Sequence, residues 1–223
     1  MITRACRALF LGLFLIIINA PTAAAEPTNL SLRKQEMAVY VGSGAYATEI
    51  ASVALSANKY LAKRIAQGTK PDKKLAIVFD LDETLFSNLV HIMANDYGYV
   101  PKVWDAWVAK GQSPAMIPVQ TIYDTARRGK IDIFIVTGRR ETDRVATERN
   151  LREVGYEGWS KIFYKPESNE QPPGMAGFKT DIRRKLMQGG FTIVANVGDQ
   201  ASDLSNGYAE RTFKLPNPFY LTK

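Results

Sequence analysis

The sequence predicts an α/β protein with a Rossmann-like parallel sheet, helices on both faces of that sheet and a small helical cap inserted after the first strand. Short runs of Ile, Val and Phe without strict polar alternation indicate strands that are covered on both faces. Segments with helical spacing lie between these runs, as is typical of βαβ units. A long gap after the first run leaves room for an insertion.

The composition fits one globular domain. The chain has 223 residues, of which 46% are hydrophobic and 23% are charged, and this balance excludes a disordered chain. No repeat of about 20 to 50 residues recurs, which excludes solenoids and propellers. We therefore expect one domain over residues 26–223, preceded by a separate leader.

Residues 1–25 have the features of a secretory signal peptide. Arg4 and Arg7 form a basic start, residues 8–18 are apolar but too few to span a bilayer comfortably, and alanines at 23–25 suit a cleavage site. An uncleaved membrane anchor is the alternative, and the short apolar run disfavours it. We expect a secreted or periplasmic protein with no stable membrane anchor after cleavage.

The cysteine content limits the covalent links that the mature protein can form, and the net charge limits the kinds of molecule that it can attract. The only cysteine, Cys6, lies in the leader, so we expect a mature protein without disulfides or lipid attachment. The net charge of +7 becomes +5 once Arg4 and Arg7 are removed, and no dense Lys/Arg cluster is present. This modest excess can attract small phosphorylated molecules, whereas we expect no nucleic-acid polymer as a partner.

The elements can be predicted in order along the chain. Residues 32–67 have helical spacing, and Gly42 and Gly44 divide them into two helices. The four predicted strands are residues 75–79, 131–136, 161–164 and 191–197. Helices at residues 141–153 and 178–187 connect the later strands, so a parallel sheet is expected.

The cap is expected at about residues 89–118, between the first two strands. The gap is rich in aromatic residues, namely Tyr97, Tyr99, Trp104 and Trp107. The two tryptophans lie three residues apart on a predicted helix, so they can pack the cap onto the core. Alternatively, Phe86, Tyr97 or Trp104 can stack on a ring of the substrate.

Polar residues follow the strands at the edge where ligands collect in an open parallel sheet. "DLDET" follows the first strand, "TGRR" the second and "GDQASDL" the fourth, and "FKTDIRRKL" places a lysine near a helix start. These stretches contribute Asp80, Asp82, Thr84, Thr137, Gly138, Lys179, Asp199 and Asp203. We expect them to converge at one edge of the sheet.

A crowd of carboxylates indicates a bound cation, because like charges repel unless something positive lies between them. Oxygen ligands suit Mg²⁺, which takes one or two protein carboxylates together with waters and a substrate phosphate. A transition metal is disfavoured because the predicted mature chain has no cysteine and a single histidine, His91. We therefore expect Mg²⁺, and we assign His91 no role.

These stretches resemble, in the same order, the four signatures of the haloacid dehalogenase superfamily of phosphohydrolases. Others are similar to its secreted acid phosphatases, a branch that includes plant vegetative storage proteins and bacterial class C enzymes: "YVGSGAYATEI", "NLREVGYEGW", "FKTDIRRKL", "GDQASDL" and "RTFKLPNPFY". The resemblance covers about residues 40–220. It implies a Mg²⁺-dependent phosphatase that acts on small phosphate monoesters.

The resemblance also implies catalytic roles. Asp80 would be the nucleophile that forms an aspartyl-phosphate, and Asp82 would act first as general acid and then as general base. Thr137 and the Gly138 amide would bind the phosphoryl oxygens. Lys179 would neutralise those oxygens and orient Asp80.

The same resemblance implies a set of metal ligands. An Asp80 oxygen, the backbone carbonyl of Asp82 and Asp199 would bind Mg²⁺. Asp203 would reach the ion through water, or would position Lys179 instead.

Several other lysine and arginine side chains lie near the predicted site residues, and most of them can be explained without a role in catalysis. The neighbours that compete with Lys179 are Lys165, Arg183, Arg184 and Lys185. A solvated helix face accounts for most of them, and Lys179 is preferred because it matches the signature and falls in a first helical turn. Arg139 and Arg140 are expected to pair with carboxylates of the following helix, with the pocket as the alternative.

Two other functions remain open from the sequence. One is a non-catalytic storage or binding protein of the same fold, and the other is a narrower enzyme such as a nucleotidase. The presence of both Asp80 and Asp82 favours an active enzyme.

Overall fold

A five-stranded parallel sheet organises the molecule. The computed structural model describes residues 26–166 and 174–222, and within them the strands follow the order β3-β2-β1-β4-β5. They are β1 (Lys74–Phe79), β2 (Asp132–Arg140), β3 (Lys161–Lys165), β4 (Phe191–Gly198) and β5 (Thr212–Lys214). Helices surround this sheet, so the α/β fold class predicted from the sequence is confirmed.

The central strand β1 pairs in parallel with both β2 and β4. Its residues Ile77 and Phe79 belong to the core on one face of the sheet, while Ala76 and Val78 belong to the core on the other. Successive side chains of a strand point to opposite faces, so a strand covered on both faces needs an unbroken apolar run. This explains why the strand runs lack alternation.

Eight helices lie in the described part of the chain. They are α1 (Leu30–Gly42), α2 (Ala45–Ala66), α3 (Leu89–Ala94), α4 (Pro101–Lys110), α5 (Ile117–Arg128), α6 (Arg144–Glu153), α7 (Gly174–Gln188) and α8 (Ala201–Leu204). The larger core joins α2 and α5 to one face of the sheet, and the smaller core joins α7 to the other. The predicted break between the first two helices is present, and Gly44 takes a φ of 81° there.

Helices α3 and α4 occupy the predicted cap, between β1 and α5. Pro101 begins α4, and Gly111 follows it with a φ of 62°, which suits a helix end. Trp107 on α4 donates from Nε1 to Asn88 Oδ1 at 2.8 Å. This hydrogen bond ties the cap helix to the chain just after β1. The boundary of the cap at residues 89–118 stays a prediction.

The structure extends some predicted elements and adds others. β2 continues to Arg140, past the predicted end at residue 136, because Arg140 still pairs with Lys165 of β3 through the backbone whatever its side-chain polarity. The edge strand β5 has three residues, too few for an apolar pattern. The segment predicted as helix from residue 141 begins with a 3-10 turn at Glu141–Asp143 before α6.

The predicted signal peptide lies outside the described residues. Among the residues that are described, no helix has both the length and the apolar character needed to cross a bilayer.

Candidate active site

Three buried aspartates meet at the carboxyl edge of the sheet, which we call the rim. Asp80 follows β1 and Asp199 follows β4, and the two strands are paired neighbours whose ends meet there. The Asp80 amide donates to the carbonyl of Val197 at 2.9 Å, which continues the pairing to the site. One carboxylate oxygen from each of Asp80, Asp199 and Asp203 lies within 4.8 Å of the others. The sequence placed these acids at one edge, and the structure brings them together.

Lys179 joins two of these acids. It lies on α7, which begins at Gly174 and not at residue 178, so the expectation that Lys179 falls in the first helical turn is wrong. Its buried Nζ donates to Asp80 Oδ1 at 2.5 Å and to Asp203 Oδ1 at 2.6 Å. Burial alone would lower the pKa of Lys179, but Asp80 and then Asp203 raise it above its usual value, so the ammonium stays charged. Burial also raises the pKa of Asp80 well above its usual value, and Lys179 acts in the opposite direction.

Asp199 has only neutral hydrogen-bond donors among the described residues. Its Oδ2 accepts from Gln200 Nε2 at 2.8 Å and from Asn217 Nδ2 at 2.7 Å, and its Oδ1 accepts from Thr84 Oγ1 at 3.1 Å. Burial and the charge of Asp203 raise the pKa of Asp199. Burial of a carboxylate with no cationic partner is costly, and that cost indicates a missing positive charge.

Asp203 approaches the site because residue 198 is glycine. A Cβ built at Gly198 would lie 2.5 Å from Asp203 Cβ, so any larger residue would force the two apart. The second carboxylate oxygen of Asp203 accepts from the backbone N–H of Gln200 at 2.8 Å. Asp203 thus has Lys179 on one carboxylate oxygen and this N–H on the other.

These residues fit a divalent metal ion. Three aspartates face a single ammonium, which pairs with Asp80 and Asp203 and leaves Asp199 without a cationic partner among the described residues. Carboxylate oxygens of this kind are the ligands that hard divalent cations prefer. The site is therefore suited to hold such an ion between Asp80 and Asp199.

The Asp82 side chain is held by a buried guanidinium. Arg139 Nη2 donates to Asp82 Oδ1 at 2.6 Å, and Arg139 Nε lies 3.1 Å from Asp82 Oδ2. Asn88 Nδ2 adds a hydrogen bond to Asp82 Oδ1 at 2.9 Å. The expectation that Arg139 pairs with an acid of the following helix is therefore wrong, because its side chain turns toward the rim. Arg140 does contact that segment, through Asp143.

Glu83 is a buried acid with a different set of partners. Its φ is 55°, an uncommon value for a residue with a side chain. Its carboxylate accepts from the Asn88 N–H at 2.6 Å and from the Tyr220 hydroxyl at 2.7 Å. Burial, together with the charge of Asp82, raises the pKa of Glu83 to about 8. Glu83 thus links the rim to the C-terminal segment, which we define as residues 215–222.

A cavity of about 450 Å³ opens onto the rim, a size that suits a small-molecule substrate. Its lining includes Asp80, Asp82, Gly138, Lys179 and Asp199 from the rim, His91, Tyr97, Tyr99 and Trp104 from the cap, and Tyr220, Leu221 and Thr222 from the C-terminal segment. The cap and the C-terminal segment therefore form the walls of a pocket whose floor is the cluster of acids.

Gly138 and Thr137, the two residues predicted to bind the phosphoryl oxygens, differ in their access to the cavity. Gly138 lines the cavity. Thr137 is fully buried and does not line it, and its hydroxyl accepts from the Arg139 N–H at 3.1 Å. The binding of phosphoryl oxygens by Thr137 and Gly138 stays a prediction.

The aromatic side chains of the region fall into two groups. Phe86 is fully buried beneath Arg139, so its suggested stacking on a substrate is wrong. Tyr97 and Trp104 do line the cavity, and His91 beside them stacks on the Trp107 ring at 5.2 Å.

Sequence reasoning missed Gln200 and Asn217, which hold Asp199, and gave a position at the pocket for Arg139 only as the alternative. Asn217 lies in "KLPNPFY", a stretch noted only for its resemblance to other proteins, and nothing in its spacing indicates a contact with Asp199. "TGRR" contains a visible arginine next to predicted site residues. That adjacency was the one available signal for Arg139.

A family model described as HAD superfamily, subfamily IIIB (acid phosphatase), matches residues 18–223.

Similar sequences include plant proteins. The Stem 28 kDa glycoprotein of Glycine max is 36% identical over 152 residues, which cover 66% of this chain and 60% of that protein. Acid phosphatase 1 of Solanum lycopersicum is 35% identical over 207 residues, which cover 87% of this chain and 79% of that protein. The chain spans 52% of the length of another relative, a Stem 31 kDa glycoprotein of Glycine max.

A solved structure has a similar fold. The class C acid phosphatase of Bacillus anthracis, with tungstate bound, has a TM-score of 0.69 at 24% sequence identity, covering 86% of this chain and 87% of that chain.

Proposed function

The chain belongs to the HAD superfamily, subfamily IIIB of acid phosphatases, and we propose on this basis that it is a phosphomonoesterase whose reaction takes place at the rim formed by Asp80, Lys179 and Asp199. The observation that carries the proposal is the buried contact of Lys179 with Asp80 beside an acid, Asp199, that has only neutral partners among the described residues. Such a site can present a nucleophilic carboxylate and neutralise an incoming phosphoryl group.

In the first step, a carboxylate oxygen of Asp80 forms a bond to phosphorus while the bond from phosphorus to the alcohol oxygen breaks. Asp82 gives its carboxyl proton to the departing oxygen, so that the product leaves as a neutral alcohol. The phosphoryl group is then carried by Asp80 as an aspartyl-phosphate. This division replaces one difficult displacement by two easier ones.

In the second step, the Asp82 carboxylate takes a proton from a water molecule whose oxygen bonds to phosphorus. The bond between Asp80 and phosphorus breaks, phosphate is released, and both acids return to their starting states. Lys179 lies within hydrogen-bond distance of Asp80 and would neutralise the phosphoryl oxygens in both steps. The Gly138 amide and the Thr137 hydroxyl are proposed to bind those oxygens.

The metal is proposed to be Mg²⁺, held by Asp80, Asp199 and the backbone carbonyl of Asp82, with Asp203 positioning Lys179. When bound, the ion would supply positive charge that offsets the repulsion among the acids and polarises the phosphoryl group. The oxygen-only donors of Asp80 and Asp199 support this choice over a softer metal.

The substrates are proposed to be small phosphate monoesters. The cavity has the volume of a small-molecule site, and its charged floor suits an anionic group. We also propose that residues 1–25 are a signal peptide, that residues 26–223 form the phosphatase domain with a small cap at about 89–118, and that the protein is secreted or periplasmic.

The test is hydrolysis of p-nitrophenyl phosphate by the chain of residues 26–223, with Mg²⁺ or with EDTA, from acidic to neutral pH. We expect turnover that requires the metal and that falls on the order of 10³-fold or more in Asp80→Asn, because that variant lacks the nucleophile. Asp72→Asn is the matched control, since Asp72 is exposed in the turn before β1, at the opposite edge of the sheet. Wild-type inactivity under all these conditions would contradict the proposal.

A storage protein is the second candidate, and the similarity of the chain to a plant storage protein is the observation that favours it. Vegetative storage protein 1 of Arabidopsis thaliana is 31% identical over 147 residues. The same assay separates the two functions, because a storage protein would show equal inactivity in the wild type and in Asp80→Asn.

A further inference from the structure

Arg139 stands at the end of β2 and contacts the acid that we propose as the proton donor. Only 1% of its side chain is exposed. Its Nε lies 3.2 Å from Asp82 Oδ1 and 3.1 Å from Oδ2, and its Nη2 lies 2.6 Å from Oδ1. Its Nη1 donates to Thr147 Oγ1 on α6 at 3.0 Å. The guanidinium is thus held by hydrogen bonds on two sides, to Asp82 and to Thr147.

Two aromatic rings further restrict this guanidinium. Its central carbon lies 5.2 Å from the centre of the Phe86 ring and 5.9 Å from that of the Trp104 ring. Contacts of this kind favour a cation and limit rotation of the side chain. Burial alone would lower the pKa of Arg139, but the charge of Asp82 raises it, so the group stays a cation at any relevant pH.

The two oxygens of Asp82 are held unequally. Oδ1 accepts from Arg139 Nη2, from Arg139 Nε and from Asn88 Nδ2. Oδ2 accepts from Arg139 Nε alone among the described residues. Because Asp82 lines the cavity and 17% of its side chain is exposed, Oδ2 is the oxygen with lone pairs free to exchange a proton.

We propose that Arg139 is a positioning residue, which holds Asp82 so that Oδ2 carries the proton to and from the reacting oxygens. This inference rests on the proposed phosphatase function and adds to it the residue that controls protonation of the leaving group. Arg139 also lines the cavity, but its Nε and both of its terminal nitrogens already donate to Asp82 and Thr147, which disfavours direct binding of the substrate by the guanidinium.

The role has a specific kinetic consequence. In the first step the proton leaves Asp82 Oδ2 for the ester oxygen as the bond from phosphorus to that oxygen breaks. An alkyl alcohol needs this proton because its anion is a poor leaving group. A p-nitrophenolate anion leaves without it. Misplacing Asp82 should therefore slow the hydrolysis of alkyl phosphate esters far more than that of p-nitrophenyl phosphate.

The experiment compares kcat/KM for p-nitrophenyl phosphate and for glycerol 2-phosphate in the wild type, Arg139→Met and Arg139→Lys. General acid catalysis contributes about 10²- to 10⁴-fold, so in Arg139→Met we expect a loss at least about 10-fold larger for the alkyl ester than for the aryl ester. Arg139→Lys keeps the charge but not the paired donors, and its selective loss should be intermediate. Inhibition by inorganic phosphate should change by less than about 2-fold.

Two controls separate positioning from a general loss of structure. Arg140→Met changes the neighbouring arginine, which is 47% exposed and pairs with Asp105 and Asp143, and it should leave the ratio of the two substrates unchanged. Asp82→Asn should show the same selective loss as Arg139→Met, and the double variant should lose no more than Asp82→Asn alone, because both changes remove one function.

An equal loss for both esters in Arg139→Met and Arg139→Lys would overturn the inference, as would phosphate inhibition weakened in parallel with activity. If Arg139→Met does not fold, Arg139→Lys decides by the same ratio. Failure of the proposed function is distinguishable, since the wild type itself would then hydrolyse neither ester.

Discussion

At the scale of single residues, the main feature of the site is how far the charges of its buried aspartates are compensated by their neighbours. Lys179 contacts Asp80 and Asp203, so one ammonium is shared by two carboxylates. Asp199 receives amide and hydroxyl donors instead, and these partners hold a carboxylate in place without cancelling its charge. The acids are thus ordered before any cation binds, which reduces the reorganisation that binding would require.

Asn217 is the residue that orients Asp199 from the C-terminal segment. Its Oδ1 accepts the Phe219 N–H at 3.0 Å, so its Nδ2 must be the group that faces Asp199. We expect Asn217→Ala to bind Mg²⁺ about 10- to 100-fold more weakly, as is typical when a partner of a metal ligand is lost. The measurement is the Mg²⁺ concentration that raises the unfolding temperature by half of its maximal shift.

Phe219→Leu is the control for this prediction, because it loosens the packing of the same segment on Tyr46 but keeps the Asn217 amide. It should lower stability and leave the Mg²⁺ dependence unchanged. Equal Mg²⁺ dependence in the wild type and Asn217→Ala would show that the amide has no such role.

His91 gives a prediction for pH dependence. Burial in the cap, and then the charge of Lys110, lower the pKa of its imidazole below the usual 6.5. The unfolded chain therefore binds this proton more readily, so the stabilisation is complete above about pH 6.5 and is lost as pH falls toward the folded pKa. Proton NMR can follow the titration without ambiguity, because the chain has one histidine.

The matching variant is His91→Gln, which cannot titrate. Its free energy of unfolding should fall less steeply than that of the wild type as pH decreases below about 6.5. A measured pKa of 6.5 or above for His91 in the folded protein would contradict this account.

At the scale of elements, the turn from β4 into α8 determines how closely Asp203 approaches the rim. Gly198 ends β4, and Asp203 lies on the short helix α8 that follows. Asn196 Nδ2 and Arg183 Nη1 both donate to the backbone carbonyl of Asp203, which fixes this turn against α7. The position of Lys179 on α7 and that of Asp203 are therefore coupled.

Gly198→Ala tests that coupling. The added Cβ would lie 2.5 Å from Asp203 Cβ, and overpacking of this kind costs about 1 to 3 kcal/mol of unfolding free energy. We also expect lower turnover, since a displaced Asp203 would not keep its present contact with Lys179. Chemical denaturation and kcat measure the two effects.

Gly189→Ala is the matched control, because its Cβ would lie 3.4 Å from its nearest neighbours, an ordinary contact distance. It should change stability by much less than Gly198→Ala. Equal stability of the two variants would mean that the close approach at Gly198 is not required.

At the scale of the whole molecule, the pocket joins parts that are distant in the chain. The sheet supplies its floor, the cap supplies one wall and the C-terminal segment supplies another. Phe219 of that segment contacts both Tyr46 on α2 and Tyr97 of the cap. These contacts connect the two walls to each other and to the core. The resemblance to the family, which was based on sequence motifs along most of the chain, is confirmed by the match of the family model.

The proposed export of the protein can also be tested on the whole chain. Full-length protein expressed in a bacterium with a periplasm should be recovered there with Glu26 as its first residue, because the small alanines at 23–25 precede that position. N-terminal sequencing gives the answer. Leu13→Arg, which interrupts the apolar run, should keep the chain in the cytoplasm and uncleaved, and recovery of both forms with an intact leader would contradict the proposal.

The sequence by itself determined the fold class and the order of the acids along the rim. Runs such as that of β1 indicate buried parallel strands, and the carboxyl ends of such strands share one edge. Asp80 and Asp199 could therefore be assigned to one site from the sequence alone, whereas Lys179 was preferred over its neighbours because it matches the family signature. The roles proposed for them come from the family resemblance.

Only the tertiary structure decided which groups hold those acids. Arg139 reaches Asp82 across 57 positions of sequence, and Asn217 reaches Asp199 across 18. Neither contact follows a period or a motif spacing, since each depends on where the cap, α6 and the C-terminal segment pack. Strand order is encoded locally in apolar runs, whereas the orientation of a buried carboxylate is set by whichever donors packing brings within about 3 Å.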